Sequence, residues 1–195
     1  MRSRQKEDRE GKRMRIYLRP ITLDDGPSIV KWRNTPSVRD HCLNQKPITI
    51  ESNEAFFHAN IETGYYQQFI VERIDEEFGV SSYPIATVYL KDIDRTNKRC
   101  ELCIFTSDDQ EWNTESQAIA VKLLLEKAFD ELNMHKVYSY AFYKFMNEAS
   151  LLKRAGFSTE AILKEEAVNA DGEYEDIVRF IITDKEWKNN KKAEK

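Results

Sequence analysis

A chain of 195 residues, 41% apolar and 33% charged, has the material for one folded domain with its own core. It contains no apolar run near the roughly 18 residues of a membrane-spanning helix, and its opening, MRSRQKEDREGKRMR, lacks the apolar segment of a secretory signal, so neither is expected. The net charge of −4 is uneven: residues 1–13 and 185–195 each carry +3, which leaves −10 on the body between them. A nucleic-acid binder presents a basic face on its folded part, so this balance argues against one, while an acidic body steers cations towards itself.

In chain order, residues 1–13 are read as a mobile basic tail, 14–187 as a single domain and 188–195 as a basic C-terminal tail. RIYLRPIT (Arg15–Thr22) alternates as a strand does and ends at Pro20. TLDDGPSIVKWRN follows, with Thr22, Asp24 and Asp25 as capping residues and Ile29, Val30 and Trp32 as an apolar face, which predicts a helix. Thr49–Thr63 predicts a second helical region around Phe56, Phe57 and Ile61. Three strands are expected next, at Tyr66–Ile74, Ile85–Ile93 and Arg99–Thr106. Val121, Leu124, Leu125, Ala128 and Leu132 recur at helical spacing and predict a long helix from Glu115 to Leu132. His135–Phe142 reads as a strand, NEASLLKRA as a short helix closed by Gly156, and the last segments as a hairpin about NADGE. A run of strands followed by strand, helix, strand, helix and hairpin predicts an α+β fold: a mixed, mostly antiparallel twisted sheet with helices on both faces.

Three cysteines form no disulfide framework and fit the cytoplasm. Cys100 and Cys103 have the spacing of a metal pair, but residues three apart on a strand face opposite ways, so no zinc site is expected. His41, His58 and His135 show no catalytic or metal-binding spacing.

The order of elements and several motifs resemble the GNAT superfamily of acyl-CoA-dependent N-acetyltransferases. The branch concerned includes ribosomal-protein N-terminal, polyamine and amino-sugar acetyltransferases. The similarity runs from Ile16 to Trp187 through YLRPITLDD, VKWRN, CELCIF, LLLEKAFDELNMHKVYSYAF, NADGEYEDIVRF and, most specific, NEASLLKRAGF. The resemblance implies acetyl-CoA as co-substrate, no metal and an amine-bearing acceptor. By analogy it also implies a homodimer.

In that family the pyrophosphate sits on the N-terminus of the long helix, where free N–H groups and the helix dipole bind anions and glycines let the backbone approach. Aligned from Phe129, this chain has Trp112, Asn113, Thr114, Glu115, Ser116 and Gln117 there, and no glycine. Thr114 and Gln117 have the spacing of a capping box, and Glu115 suits the dipole. Two readings follow. Either the stretch still binds acetyl-CoA, with Glu115 turned to solvent, or the helix caps itself and the protein is a GNAT-fold binding or regulatory module without catalysis.

For direct attack of an amine on the thioester, the resemblance places Glu101 beside the reacting carbonyl as base, with Glu165 and Glu166 as further candidates. The backbone N–H groups of Ile104, Phe105 and Thr106 are candidate oxyanion donors. Asn147 corresponds to a residue that bonds the pantetheine arm. Leu152 stands where many members have a Tyr that protonates the leaving thiol, which leaves Ser150 as the nearest hydroxyl. Trp32, Phe56, Phe57, Tyr65 and Tyr66 belong either to the core or to the acceptor pocket.

Overall fold

The computed structural model describes residues 15–75, 81–104, 107–146, 150–169 and 171–193. Its strands are β1 (Ile16–Pro20), β2 (Gln67–Asp75), β3 (Ser81–Asp94), β4 (Arg99–Ile104), β5 (Lys136–Phe142), β6 (Ser158–Val168) and β7 (Tyr174–Thr183). They form one seven-stranded sheet in the order β1-β2-β3-β4-β5-β7-β6. All neighbours are antiparallel except β4 and β5, which are parallel. The mixed, mostly antiparallel α+β architecture expected from the sequence is therefore the one observed.

The helices are α1 (Gly26–Asn34), α2 (Pro36–Arg39), α3 (Ile50–Phe56), α4 (Thr114–Glu126), α5 (Ser150–Arg154) and α6 (Asp184–Ala193). Helices α3 and α4 each run on into a wider π turn, at Phe57–Ile61 and Lys127–Glu131. Thr49 caps α3 reciprocally with Ser52: the Ser52 N–H donates to Thr49 Oγ1 at 3.2 Å and the Thr49 N–H to Ser52 Oγ at 2.8 Å.

Both faces of the sheet are covered, and adjacent residues of β2 show it. Phe69 packs with the stripe of α4 and its π turn, where Ala120, Val121, Leu124, Leu125 and then Ala128 are wholly buried; Ile70 packs with Ile21, Ile29 and Trp32 of the N-terminal layer. Covering both faces also explains why β3 does not alternate: Ile85, Ala86, Thr87 and Val88 are all 0% exposed.

The C-terminal end departs from the expected tail at 188–195. Helix α6 runs through Ala193 and buries Trp187, which stacks on Phe129. The hairpin β6–β7 turns as expected, with Asn169 Oδ1 accepting from the N–H groups of Asp171 and Glu173. The N-terminal tail expected over residues 1–13 lies outside the described residues.

Candidate active site

The topology opens a site between the two parallel strands. β4 and β5 pair only at Arg99↔Lys136, Cys100↔Val137 and Glu101↔Tyr138. β4 continues to pair with β3 as far as Ile104, and β5 with β7 as far as Phe142, but they no longer pair with each other. The residues beyond this fork, among them Cys103, Ile104, Ser139 and Tyr140, line a cleft of about 780 Å³. That volume lies in the range of small-molecule and cofactor pockets. Besides the sheet, its lining comes from α1, α3 and the segment between them, from the start of α4 and from Leu151 and Leu152 of α5.

Glu101 sits at the fork and is 5% exposed. Its cross-strand partner on β3 is Lys91, whose Nζ lies 3.1 Å from the carboxylate. Cys103, two residues along and so on the same face of β4, donates its thiol to Glu101 Oε1 at 3.1 Å. Burial raises the Glu101 carboxyl above its ordinary value, with Lys91 and the Cys103 hydrogen bond opposing the rise. Burial works against the Lys91 ammonium, but the acidic groups beside it, Glu101 among them, outweigh it and raise its pKa. Burial also pushes the Cys103 thiol well up, so it stays protonated and able to donate. The result is a buried carboxylate with a raised pKa beside an open cleft, the environment of a general base.

Helix α4 begins one residue earlier than the capping box of Thr114 and Gln117 requires. The cap is Asn113: its Oδ1 accepts from the N–H of Glu115 at 2.9 Å and of Ser116 at 3.3 Å. Thr114 is the first helical residue, so its hydroxyl is not the cap. Ser116 fixes this register. Its buried hydroxyl, with one proton to share between them, lies 2.7 Å from the carbonyl oxygen of Glu111 and 2.9 Å from that of Asn113. Gln117 turns its amide to the Trp112 carbonyl at 3.1 Å rather than back to Thr114. Trp112 and Gln117 line the cleft, while Asn113, Thr114 and Glu115 are exposed. Trp112 is 4% exposed and its Nε1 has no hydrogen-bond partner among the described residues.

A family model described as Acetyltransferase (GNAT) domain matches residues 15–158. The chain belongs to the GNAT acetyltransferase family. Among solved structures it is similar to a spermidine N-acetyltransferase from Vibrio cholerae in complex with CoA and spermine: 22% identity, TM-score 0.78, 89% of this chain and 98% of that one. A chimera of that enzyme with hSSAT gives 21% identity, TM-score 0.74, 89% and 98%. No curated protein matches in sequence. As a GNAT member the chain is an N-acetyltransferase with acetyl-CoA as co-substrate.

The remaining candidates of this acetyltransferase divide. Ile104 lies at the end of β4 and lines the cleft. Leu152 lines it too and is 7% exposed, so the position of the family Tyr offers no hydroxyl. Glu166 is exposed on β6 and does not line the cleft, so the structure does not bring it to Glu101; Glu165, beside it, is exposed as well. Phe105, Thr106, Asn147 and the side chain of Ser150 lie outside the described residues. Of the aromatics, Phe56 and Tyr66 line the cleft, while Trp32 belongs to the core. His41 also lines it, stacked on Phe145 at 4.0 Å, whereas His58 pairs with Glu62 and His135 with Asp184. Among the described residues no cluster could hold a metal, and Cys100 is buried in the core away from Cys103.

Lys91 and Cys103 escaped the reading of the sequence as partners of Glu101. The Glu101–Cys103 spacing held the signal for one of them, since residues two apart share a strand face. Lys91 required the register of β3 on β4, which spacing within one segment does not show.

Proposed function

We propose that a neutral primary amine enters the cleft beside α1 and α3 and attacks the thioester carbonyl of acetyl-CoA. Its proton passes to Glu101, the C–S bond breaks, and CoA leaves as a thiol, the proton lost by the amine balancing the one the sulfur gains. Bound acetyl-CoA supplies an activated acyl carbon. Trp112, Gln117 and the first N–H groups of α4 suit its phosphate end, and the unpaired edges of β4 and β5 suit its amide-bearing arm. Three observations support this fit: the open fork, the cleft volume and the buried Trp112 Nε1 without a partner. Asn113 holds the N–H groups of Glu115 and Ser116 by an exposed side chain, which an anion can displace. Self-capping therefore does not favour the inactive-module reading. Asn147, Ser150, Ile104, Phe105 and Thr106 keep the roles that the family resemblance implies, as proposals.

One observation carries the assignment of the base. Among the described residues lining the cleft, Glu101 is the sole carboxylate, and it stands where the strands part. A base must be ionised to act, so kcat/KM falls as pH drops through the raised Glu101 pKa. Replacing Glu101→Gln should lower kcat/KM about 10²- to 10⁴-fold and remove that acidic limb. Acetyl-CoA binding, read by thermal shift, should persist. Wild-type kcat/KM in the variant would remove Glu101 from the mechanism.

The structural neighbours act on spermidine, which makes a polyamine the first acceptor to assay. A cytoplasmic location belongs to the same reading and is supported by three free thiols. A homodimer rests on the family analogy alone. Among the described residues no helix is long and apolar enough to cross a membrane.

A further inference from the structure

The register of β3 on β4 sets Tyr89 opposite Cys103 and Lys91 opposite Glu101, and all of these side chains line the cleft. Residues two apart on a strand share a face, so the group forms a square on one side of the sheet. Its donors converge on a single atom. Lys91 Nζ lies 3.1 Å from Glu101 Oε1, and the Cys103 thiol donates to that same oxygen at 3.1 Å. Tyr89 in turn hydrogen-bonds the Cys103 sulfur, which leaves the thiol proton for Glu101. A carboxylate oxygen has two lone pairs, so these donors fill Oε1 and leave Oε2 able to accept a proton.

We propose that Lys91 and Cys103 are positioning residues of the base: they hold Glu101 by Oε1 and present Oε2 to the attacking amine. This inference rests on the proposed acetyl transfer at Glu101 and concerns how that carboxylate is oriented and kept ionised. Burial favours the neutral acid, whereas a cation and a hydrogen-bond donor at contact distance favour the anion. The other titratable groups around Glu101 do not supply a cation at that distance. Asp92 of β3 opposes ionisation, and Cys100 of β4 and Tyr138 and Tyr140 of β5 are neutral groups that burial pushes up. Arg179 of β7 lies over the Tyr138 ring, and Arg33 and His41 line the cleft from the N-terminal segment.

The first measurement reads Glu101 without any acceptor. In protein with isotope-labelled glutamate carboxyls, the Glu101 resonance is identified by its absence from Glu101→Gln and followed against pH. Lys91→Met should move its midpoint up by about one pH unit or more, while Lys91→Arg should hold it within about half a unit of wild type. Cys103→Ala should move it up by less than Lys91→Met, and Cys103→Ser, which keeps a donor, should leave it in place. The second measurement is acetyl transfer to spermidine across the same pH range, with one amine throughout so that its own titration is common to all variants. The acidic limb of kcat/KM should follow the midpoint. Above the limb, where Glu101 is ionised in every variant, kcat should fall severalfold in Lys91→Met and Cys103→Ala and return in Lys91→Arg and Cys103→Ser.

A midpoint unmoved by Lys91→Met, in protein shown to be folded by its melting curve, overturns the inference. A fall in kcat that neither conservative variant restores also overturns it, since loss of structure lowers activity at every pH without moving the limb. If Lys91→Met does not fold, Cys103→Ala and Cys103→Ser decide by the same readings. A midpoint that moves while the limb of kcat/KM stays fixed would instead overturn the transfer at Glu101, on which the inference depends.

Discussion

Asn113 caps α4 where a glycine would leave the helix start open. A glycine at the start of α4 would leave the N–H groups free and let a phosphate approach; Asn113 occupies two of them with its own carboxamide. A phosphate must therefore compete with an intramolecular acceptor. Glycine at an N-cap costs a few tenths of a kcal/mol relative to Asn, so Asn113→Gly should leave the fold intact. It should tighten acetyl-CoA binding several-fold, read by calorimetric titration. Weaker binding would show that the Asn113 side chain is itself a contact of the ligand. Sequence reading placed the cap at Thr114 because Gln117 stands at capping-box spacing from it, although Asn113 is as good a capping residue. In the structure Asn113 is the cap, and Ser116, the third residue of the helix, is buried with its hydroxyl against the Glu111 and Asn113 carbonyls.

At the scale of elements, periodicity found α4, since its apolar stripe meets the sheet along its whole length. It did not find α6, where DKEWKNNKKAEK shows one large apolar residue among charges. Trp187 supplies what periodicity lacks. Its ring stacks on Phe129 at 5.9 Å, and Asp130 receives both its Nε1 at 3.4 Å and Lys191 Nζ at 2.9 Å. Gly156 closes the other side: its φ is +93°, and a Cβ there would lie 2.2 Å from Asn190 Nδ2. Trp187→Ala should therefore cost about 3–5 kcal/mol in chemical denaturation, as burying a large aromatic predicts. A loss within about 0.5 kcal/mol, the size of a surface substitution, would mean that α6 is not part of the folded unit.

Across the whole molecule, Arg19 of β1 joins three parts of the chain. It makes a two-pronged pair with Asp25 at 2.7 and 2.8 Å and reaches Glu72 of β2 at 2.8 Å. Burial works to raise the Asp25 carboxyl, but the Arg19 and Thr22 hydrogen bonds together hold it below the ordinary carboxylate range. Exposed pairs at Glu175, Asp176 and Asp184 are lowered in the same sense. A carboxylate whose folded pKa is depressed contributes stability above its unfolded pKa, about 4, and loses it as pH falls through the folded value. Unfolding free energy should hold from pH 7 to about 5 and decline below about 4. Asp25→Asn should cost about 2 kcal/mol near neutrality, less than a fully buried pair because the Arg19 side chain is 32% exposed. The difference between variant and wild type should shrink towards pH 3. A constant difference across that range would mean that Asp25 acts through its shape and not its charge.

The sequence by itself determined the strands, the α4 helix, the hairpin and the family, because each is written in short-range pattern: alternation, helical spacing, turn residues and local motifs. Glu101 became a candidate through the family resemblance, and the structure sets its carboxylate where β4 and β5 part. The tertiary structure alone decided three things: that Lys91 faces Glu101, that β4 and β5 part after Glu101 and Tyr138, and that Arg33 of α1 and Asn53 of α3 line the same cleft as Glu101. These depend on register between strands and on which faces of separate helices meet. Such relations join residues distant in the chain, and no local spacing encodes them.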